Sequence, residues 1–311
     1  MESKYKNTFS GNYFLGFREN SEYEKAKITI LPVSYEGTCT YGKGTKNAPE
    51  AIINSSLQLE SFDEEALFSL DNLGIHTLKI QNFSNKSKAK SIVEKTKQIT
   101  SQILEDNKFP TIIGGEHSIS IGSIQACAEK YSNLSVLQID AHTDLDKSYK
   151  NEEYSHASMT NKVLETTNTK FTQVGIRSIT PELINIASNT NTKIFFAHNI
   201  INKKHKISEI LETLKENVYL TIDVYAFDPS IFPNTGTPEP NGLKWQYVIN
   251  LIKEVSKKRN IIGFDLVEHS SSNPKKPHYS DFSAAKLIHK ILCIIWKEKV
   301  KRLWRKLLLF Y

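Results

Sequence analysis

The sequence predicts an α/β protein whose mostly parallel sheet is covered by helices on both faces. Short apolar runs rich in β-branched residues alternate with longer segments of helical spacing along the 311 residues, and this alternation is typical of β-α-β units. Polar residues capable of chemistry follow directly after several of the apolar runs. No stretch rich in proline, glycine and serine divides the chain, so we expect a single domain over residues 1–311.

The first half begins with a strand predicted at residues 28–33, where β-branched residues dominate. Proline near the first turn favours a helix at residues 49–57. Apolar residues recur at helical spacing in residues 91–104. A brief strand at residues 111–113 ends at a Gly-Gly pair, and a helix follows it at residues 119–131.

The second half continues the same alternation of short apolar runs and helical spacing. The predicted strands lie at residues 135–139, 171–176, 193–197, 218–222 and 261–264, and the predicted helices at residues 181–188, 207–214, 245–256 and 281–296.

Composition narrows the class of protein. The net charge is +6, with basic residues spread along the chain, so nucleic-acid binding is not favoured. Three cysteines without a CxxC spacing suit a reducing compartment. Residues 1–11 lack the apolar core of a signal peptide, and no apolar run approaches the roughly 20 residues that span a bilayer. The expectation is a soluble, cytoplasmic protein.

A carboxylate, an imidazole and a second carboxylate follow the strand at residues 135–139. Asp140, His142 and Asp144 occupy alternate positions, so they point the same way if the backbone stays extended. Mixed oxygen and nitrogen ligands of this kind suit a divalent cation such as manganese.

Other strand ends carry similar residues. His117 follows the strand at residues 111–113, Asp223 closes the strand at residues 218–222, and Glu268 follows the last strand. Ligands of open α/β sheets bind at the carboxyl ends of the strands. Each residue alone also fits a loop histidine, a helix cap or a surface ion pair. Carboxylates gathered at one buried edge would repel one another, and a cation would relieve the repulsion.

Three ordered segments resemble the signatures of the ureohydrolases, the arginase and agmatinase family. They are Gly-Gly-Glu-His-Ser at 114–118, Asp-Ala-His-Thr-Asp at 140–144 and Asp-Val-Tyr-Ala-Phe-Asp-Pro at 223–229. The Ser-His-Ala segment within 154–158, the Gly-Thr-Pro-Glu-Pro loop within 233–240 and the late Glu motif at 263–268 resemble further parts of the family pattern. The likeness runs from about residue 28 to residue 292.

The resemblance implies a three-layer α/β/α sandwich and a binuclear manganese (Mn²⁺) centre. It implies hydrolysis of a guanidino group to urea and an amine by a metal-bound hydroxide. By position, the first manganese would be held by His117, Asp140, Asp144 and Asp223, and the second by Asp140, His142 and Asp223. Asp144 would also accept a hydrogen bond from the hydroxide and orient it.

Two further residues receive catalytic and substrate-binding roles from the resemblance. His156 would act as a proton shuttle or substrate contact near the leaving amine; the alternative is an ordinary loop histidine. Glu268 would pair with the substrate guanidinium through charge-assisted hydrogen bonds; the alternative is a surface ion pair.

The sequence departs from the family pattern at Tyr225, where the family has a second aspartate that binds the second metal. A phenol cannot chelate with two oxygens and has a reference pKa near 10, so weak or absent binding of the second ion is expected. Three interpretations stay open: an enzyme with a compromised second metal, a relative with little activity, or a recent mutation or sequence error. Asn241, where the family usually has glycine, is a milder departure because asparagine tolerates a left-handed backbone.

The segment at 145–158 resembles the agmatinase branch. Agmatine is therefore the expected substrate, to be hydrolysed to putrescine and urea, with guanidinobutyrate and arginine as alternatives. The resemblance also implies a homo-oligomer.

The C-terminal segment at 297–311 mixes basic and apolar residues at a spacing of three to four, which predicts a basic amphipathic helix. The favoured interpretation is an extension of the last helix that packs on the body or on a neighbouring subunit. Contact with an anionic membrane surface is the less favoured alternative.

Overall fold

A nine-stranded sheet forms the centre of the computed structural model, which describes residues 13–16, 21–276 and 278–308. Every strand pair in this sheet is parallel, and the order is β4-β1-β6-β11-β10-β7-β8-β9, with β5 also paired to β1. β2 and β3 form a separate antiparallel pair. The strands are β1 Ile28–Ser34, β2 Phe62–Asp63, β3 Phe68–Ser69, β4 Ile75–Thr77, β5 Gln81–Asn82, β6 Phe109–Gly114, β7 Leu134–Ile139, β8 Lys170–Ile176, β9 Thr192–Phe196, β10 Asn217–Asp223 and β11 Asn260–Val267.

The described helices flank this sheet. They are α1 Ala48–Ser56, α2 Ala89–Glu105, α3 Ser120–Lys130, α4 Met159–Thr166, α5 Pro181–Ser188, α6 Ala197–Ile201, α7 Ile207–Thr213, α8 Trp245–Lys258 and α9 Tyr279–Leu308. Short 3₁₀ turns lie at Phe14–Gly16, Thr45–Asn47, His117–Ile119, His156–Ser158 and Val224–Ala226.

Two hydrophobic cores lie on opposite faces of the sheet. The first includes buried residues of α1, α8 and α9, among them Ile52 and Leu287. The second includes buried residues of α2, α3 and α4, among them Ile99 and Met159. Because each core joins one sheet face to its own set of helices, the protein has three layers. The predicted α/β/α sandwich is confirmed.

The predicted strands and helices are present, with ends that shift by a few residues. The predicted strand at residues 193–197 ends one residue earlier, because Ala197 already begins α6. The sequence analysis did not predict β2 to β5, α4 or α6.

The last helix continues well past the predicted end at residue 296. The Trp296 ring packs edge-on against Phe109 with centroids 6.1 Å apart. Arg302 donates to the carbonyl oxygens of Arg259, at 2.6 Å, and Ser256. The last helix is thus joined to β6, to α8 and to Arg259 directly after α8, while Trp304 is 63% exposed; residues 309–311 lie outside the described residues.

Within the described part of the chain, no helix is both long and apolar enough to cross a membrane. The thiols of Cys39, Cys127 and Cys293 are all free, and the last two are buried.

Candidate functional site

Four neighbouring strands in the middle of the sheet, β6, β11, β10 and β7, supply the site. His117 follows β6, Asp140 and Asp144 follow β7, Asp223 ends β10, and Glu268 follows β11. Because parallel strands end at the same edge of a sheet, the residues after them converge.

Three of these residues form a compact set of potential metal ligands, which we call the donor group: His117, Asp140 and Asp144. Their ligand atoms all lie within 4.8 Å of one another. His117 Nδ1 lies 3.3 Å from Asp140 Oδ2 and 2.9 Å from Asp144 Oδ2. Asp223 Oδ2 lies 3.4 Å from the same nitrogen. All four side chains are buried.

A chain of hydrogen bonds fixes the orientation of the His117 ring. Its Nε2 lies 2.9 Å from Thr221 Oγ1, and the Thr221 hydroxyl donates to Asp265 Oδ1 at 2.6 Å. Since the hydroxyl proton is directed to Asp265, Nε2 must be the donor to Thr221. Burial opposes protonation of the ring, but hydrogen bonds to Asp140, Asp144 and Asp223 outweigh it and raise the pKa of His117 well above its usual range. Nδ1 therefore directs a proton at these carboxylates, and a divalent cation would take the place of that proton.

Gln138 supports the two aspartates of the donor group, and the sequence analysis missed it. Its amide Nε2 donates to Asp140 Oδ2 at 2.9 Å and lies 3.4 Å from Asp144 Oδ2. Its Oε1 accepts from Thr160 and from Gln173, each at 2.8 Å. Strand alternation was the available signal, because residue 138 shares a face with residue 140.

The carboxylates of the site are electrostatically strained. Burial, and then the charge of Asp140, raise the pKa of Asp144 and raise that of Asp223 far above its usual range. Burial also opposes ionisation of Asp140, but hydrogen bonds to His117 and His142 outweigh it and hold the pKa of Asp140 low. Crowded carboxyl groups with raised pKa values are what a divalent cation would stabilise in the ionised form.

His142 is not part of the donor group, although its Nδ1 lies 3.7 Å from Asp140 Oδ1. The condition of an extended backbone is not met at Asp144, which has a φ of 49°. The His142 side chain is 28% exposed, and its ring stands edge-on to Tyr225 with centroids 5.1 Å apart.

His156 is bound by two threonines of the loop after β1. Its Nδ1 lies 3.0 Å from Thr38 Oγ1 and its Nε2 2.9 Å from Thr40 Oγ1. The Thr38 hydroxyl donates to Glu116 Oε1 at 2.6 Å, so Nδ1 carries the proton and Nε2 accepts. Burial, and then the positive charge of His117, lower the pKa of His156 to about 4. The ring is therefore neutral at neutral pH.

Glu268 is almost fully buried and has an unusual backbone, with a φ of 63°. Its Oε1 accepts the backbone N–H of His117 at 2.7 Å, and its carbonyl oxygen accepts the Thr235 hydroxyl at 3.0 Å. Burial, and then the charge of Asp223, raise its pKa well above the usual range. A left-handed backbone in a bulky residue at such a site is typical of functional positions.

Asn241 also has a left-handed backbone, with a φ of 59°. The expectation that asparagine accommodates such a conformation here is confirmed.

A cavity of about 420 Å³ opens above the donor group. Among the described residues that line it, none is lysine or arginine. The carboxyl-bearing residues of the lining are Asp144, Asp146, Asp223, Glu239 and Glu268. Such a cavity favours a cationic ligand.

The model of the Arginase family matches residues 26–293 of this chain. The chain belongs to the arginase family. Two similar relatives are named N(1)-aminopropylagmatine ureohydrolase. The one from Synechocystis sp. is 33% identical over 97% of this chain and 99% of its own length. The one from Thermus thermophilus is 32% identical over 87% of this chain and 91% of its own length.

Among solved structures, the agmatine ureohydrolase of Thermoplasma volcanium is similar to this arginase-family chain with a TM-score of 0.82. The two are 27% identical, and the match covers 94% of this chain and 97% of that one. The family predicted from the three signature segments is confirmed, and this arginase-family ureohydrolase is a hydrolase.

Proposed function

We propose that this protein hydrolyses the guanidino group of a small cationic amine of the agmatine type. The carboxylate-lined cavity above the donor group is the observation that carries the proposal. In this reaction the oxygen of water bonds to the guanidino carbon, and the bond from that carbon to the substituted nitrogen breaks. Both protons of water end on the substituted nitrogen, which leaves as an ammonium group, and the guanidinium carbon with its two NH2 groups becomes urea, so no oxidant or reductant is needed.

His117, Asp140 and Asp144 would hold manganese, with Asp223 beside them. One imidazole nitrogen and several carboxylate oxygens fit this ion, and Nδ1 of His117 faces these oxygens, 2.9 Å from Asp144 Oδ2. A divalent ion supplies Lewis acidity and a water ligand of lowered pKa near neutral pH.

Glu268 and His156 are proposed to act on the substrate. Both line the cavity. One oxygen of Glu268 is taken by the His117 amide, and the other would bind the guanidinium through charge-assisted hydrogen bonds. His156 holds its proton on Nδ1 against Thr38, so its Nε2 would exchange a proton with the Thr40 hydroxyl and the leaving amine.

The far end of the substrate is proposed to carry an amine and no carboxylate. Arginine and guanidinobutyrate carry a carboxylate, and no lysine or arginine in the described lining would pair with it. Asp146 and Glu239, by contrast, offer negative charge to an ammonium group. The printed names of the relatives point to agmatine and to its aminopropyl derivative. A homo-oligomer is part of this proposal, as the family resemblance implies.

Urea release tests the proposal. Manganese-loaded protein should release urea from agmatine or N(1)-aminopropylagmatine at least tenfold faster than from arginine or guanidinobutyrate. Asp144→Asn should remove most of the activity. The absence of urea from all four compounds would refute the enzymatic proposal, and a preference for arginine would refute the proposed substrate class.

Tyr225 favours a second candidate function, a ureohydrolase-like protein that binds metal and ligand without turnover. For that candidate, calorimetry should show agmatine binding while the urea assay stays at background.

A further inference from the structure

Asp140, His142 and Asp223 are the residues that would have to bind a second cation beside the first. His142 Nδ1 lies 3.7 Å from Asp140 Oδ1, but that oxygen already accepts the His142 backbone N–H at 2.8 Å. Asp223 Oδ1 likewise accepts the Tyr225 backbone N–H at 2.7 Å. In the described residues the compact set of three ligand atoms is the donor group, and His142 and Asp223 lie outside it. A second ion would therefore have one imidazole nitrogen and carboxylate oxygens that already accept backbone N–H groups, a poorer set of ligands than the donor group.

Tyr225 fills the space next to His142. Its side chain is only 8% exposed, and its ring stands perpendicular to the His142 ring at 5.1 Å. The phenol oxygen accepts the backbone N–H of Thr237 at 3.0 Å. This oxygen is thus held by the 235–237 loop, and it offers a single donor atom where a carboxylate would offer two.

The phenol of Tyr225 holds the loop at residues 235–237 against the site. A Cβ atom on Gly236 would lie 2.3 Å from Tyr225 Oη, so the ring and the loop are in close contact. The same loop donates the Thr235 hydroxyl to the Glu268 carbonyl at 3.0 Å and accepts the Gly42 N–H at 3.2 Å. Tyr225 thus joins His142 to a loop that also touches Glu268.

We propose that this chain binds a single divalent ion, at the donor group, and that Tyr225 occupies the place of a second ion as a structural link between His142 and the 235–237 loop. The inference rests on the metal site of the proposed function and not on turnover. The test measures metal content, so its result is informative even if the protein releases no urea.

The experiment uses the full chain, stripped with a chelator, reloaded with Mn²⁺ and desalted. Mass spectrometry should find about one manganese per chain, since one set of mixed nitrogen and oxygen ligands is present. Electron paramagnetic resonance should show the signal of isolated Mn²⁺. Two ions per chain with a spin-coupled signal would overturn the proposal without any variant.

Two substitutions test the role of Tyr225. Tyr225→Asp adds a carboxylate and removes the ring, so metal content should rise towards two per chain with a coupled signal. Tyr225→Phe keeps the ring and removes the hydroxyl, so metal content should stay at the wild-type value. Circular dichroism checks that both variants fold. A folded Tyr225→Asp that still binds one ion, or a Tyr225→Phe that gains a second, would contradict the assignment to this side chain.

Discussion

Thr221 determines which nitrogen of His117 faces the donor group. Its hydroxyl accepts from Nε2 and donates to Asp265, which also accepts the Tyr219 hydroxyl at 2.8 Å. The whole chain of contacts is buried. A partner that orients a ligating histidine commonly affects metal affinity as strongly as the ligand's own geometry does.

Thr221→Val should therefore weaken Mn²⁺ binding about 10- to 100-fold, because the ring loses its acceptor and its fixed orientation. Calorimetric titration of the stripped protein measures the effect. Thr172→Val is the matched control, since Thr172 is also a buried strand threonine but bonds to Thr213, away from the site. Equal dissociation constants for the two variants would show that Thr221 does not act through His117.

Asp146 is one of the two carboxylates, with Glu239, that we propose to recognise the far end of a cationic substrate. It lines the cavity, and burial, followed by the charge of Glu182, raises its pKa above the usual value. A bound ammonium group would relieve that repulsion.

Asp146→Asn should raise KM for agmatine about tenfold, equivalent to about 1.4 kcal/mol, with little change in kcat. Steady-state urea kinetics separate the two constants. Glu182→Gln removes a neighbouring charge that does not line the cavity and should change KM less. A fall in kcat at constant KM would place Asp146 in the chemical step instead.

At the residue scale, the sequence predicted which residue types stand at the strand ends. It did not predict how they are oriented. His142 lies outside the donor group, and the backbone turns at Asp144, and neither can be read from residue types. Thr221 was missed because its contact with His117 joins residues that are distant in sequence. The contact of Gln138 with Asp140 is local, and strand alternation was the signal for it.

At the scale of elements, long and strongly periodic segments were predicted well. α5 was predicted with its observed ends, because proline starts it after Thr180, whose side chain caps the helix. The strands β4 and β5 have three and two residues, too few for an alternating pattern to show. Tertiary pairing with β1 makes them strands.

The contact between α9 and the β2 strand contains a buried ion pair. Lys290 of α9 lies 2.8 Å from Asp63, and both side chains are buried. Burial alone would raise the pKa of Asp63, but the hydrogen bond from Lys290 outweighs it and lowers the pKa. Hydrogen bonding to Lys253, supported by Lys290, lowers the pKa of Glu65 to about 2.

Lys290→Met should destabilise the fold by about 3 kcal/mol at neutral pH, because the Asp63 charge is left buried and unpaired. Carboxyl groups with lowered pKa values stabilise the fold above their usual pKa and lose this effect as the pH falls. The difference from wild type should therefore shrink between about pH 4.5 and pH 2. Urea denaturation at several pH values measures it.

Lys286→Met is the control for this pair, because Lys286 lies 3.7 Å from a Glu64 that is 71% exposed. Its effect should stay within about 0.5 kcal/mol at every pH. If the loss of unfolding free energy in Lys290→Met does not change with pH, the pairing with Asp63 is contradicted.

At the scale of the whole molecule, the order of strands is what assembles the site. β6, β11, β10 and β7 are neighbours in the sheet although their order along the chain is β6, β7, β10, β11. The alternating pattern of the sequence predicted a parallel sheet but contained no information on this order, since pairing depends on long-range contacts. The polar residues after the predicted strands indicated a common edge, and the family resemblance assigned a role to each of them.

The metal binding that we propose would stabilise the central strands. The donor group and Asp223 join the ends of three of these strands, β6, β7 and β10, and their carboxylates repel one another when no cation is present. Manganese at 100 times its dissociation constant should stabilise the fold by about 2.7 kcal/mol, a rise in Tm of about 4 °C for a chain of this size. Thermal unfolding followed by circular dichroism, with a chelator and then with restored Mn²⁺, measures the shift. Asp144→Asn should lose most of this rise in Tm. A wild-type Tm that does not change when Mn²⁺ is added would show that the strand ends are not linked through an ion.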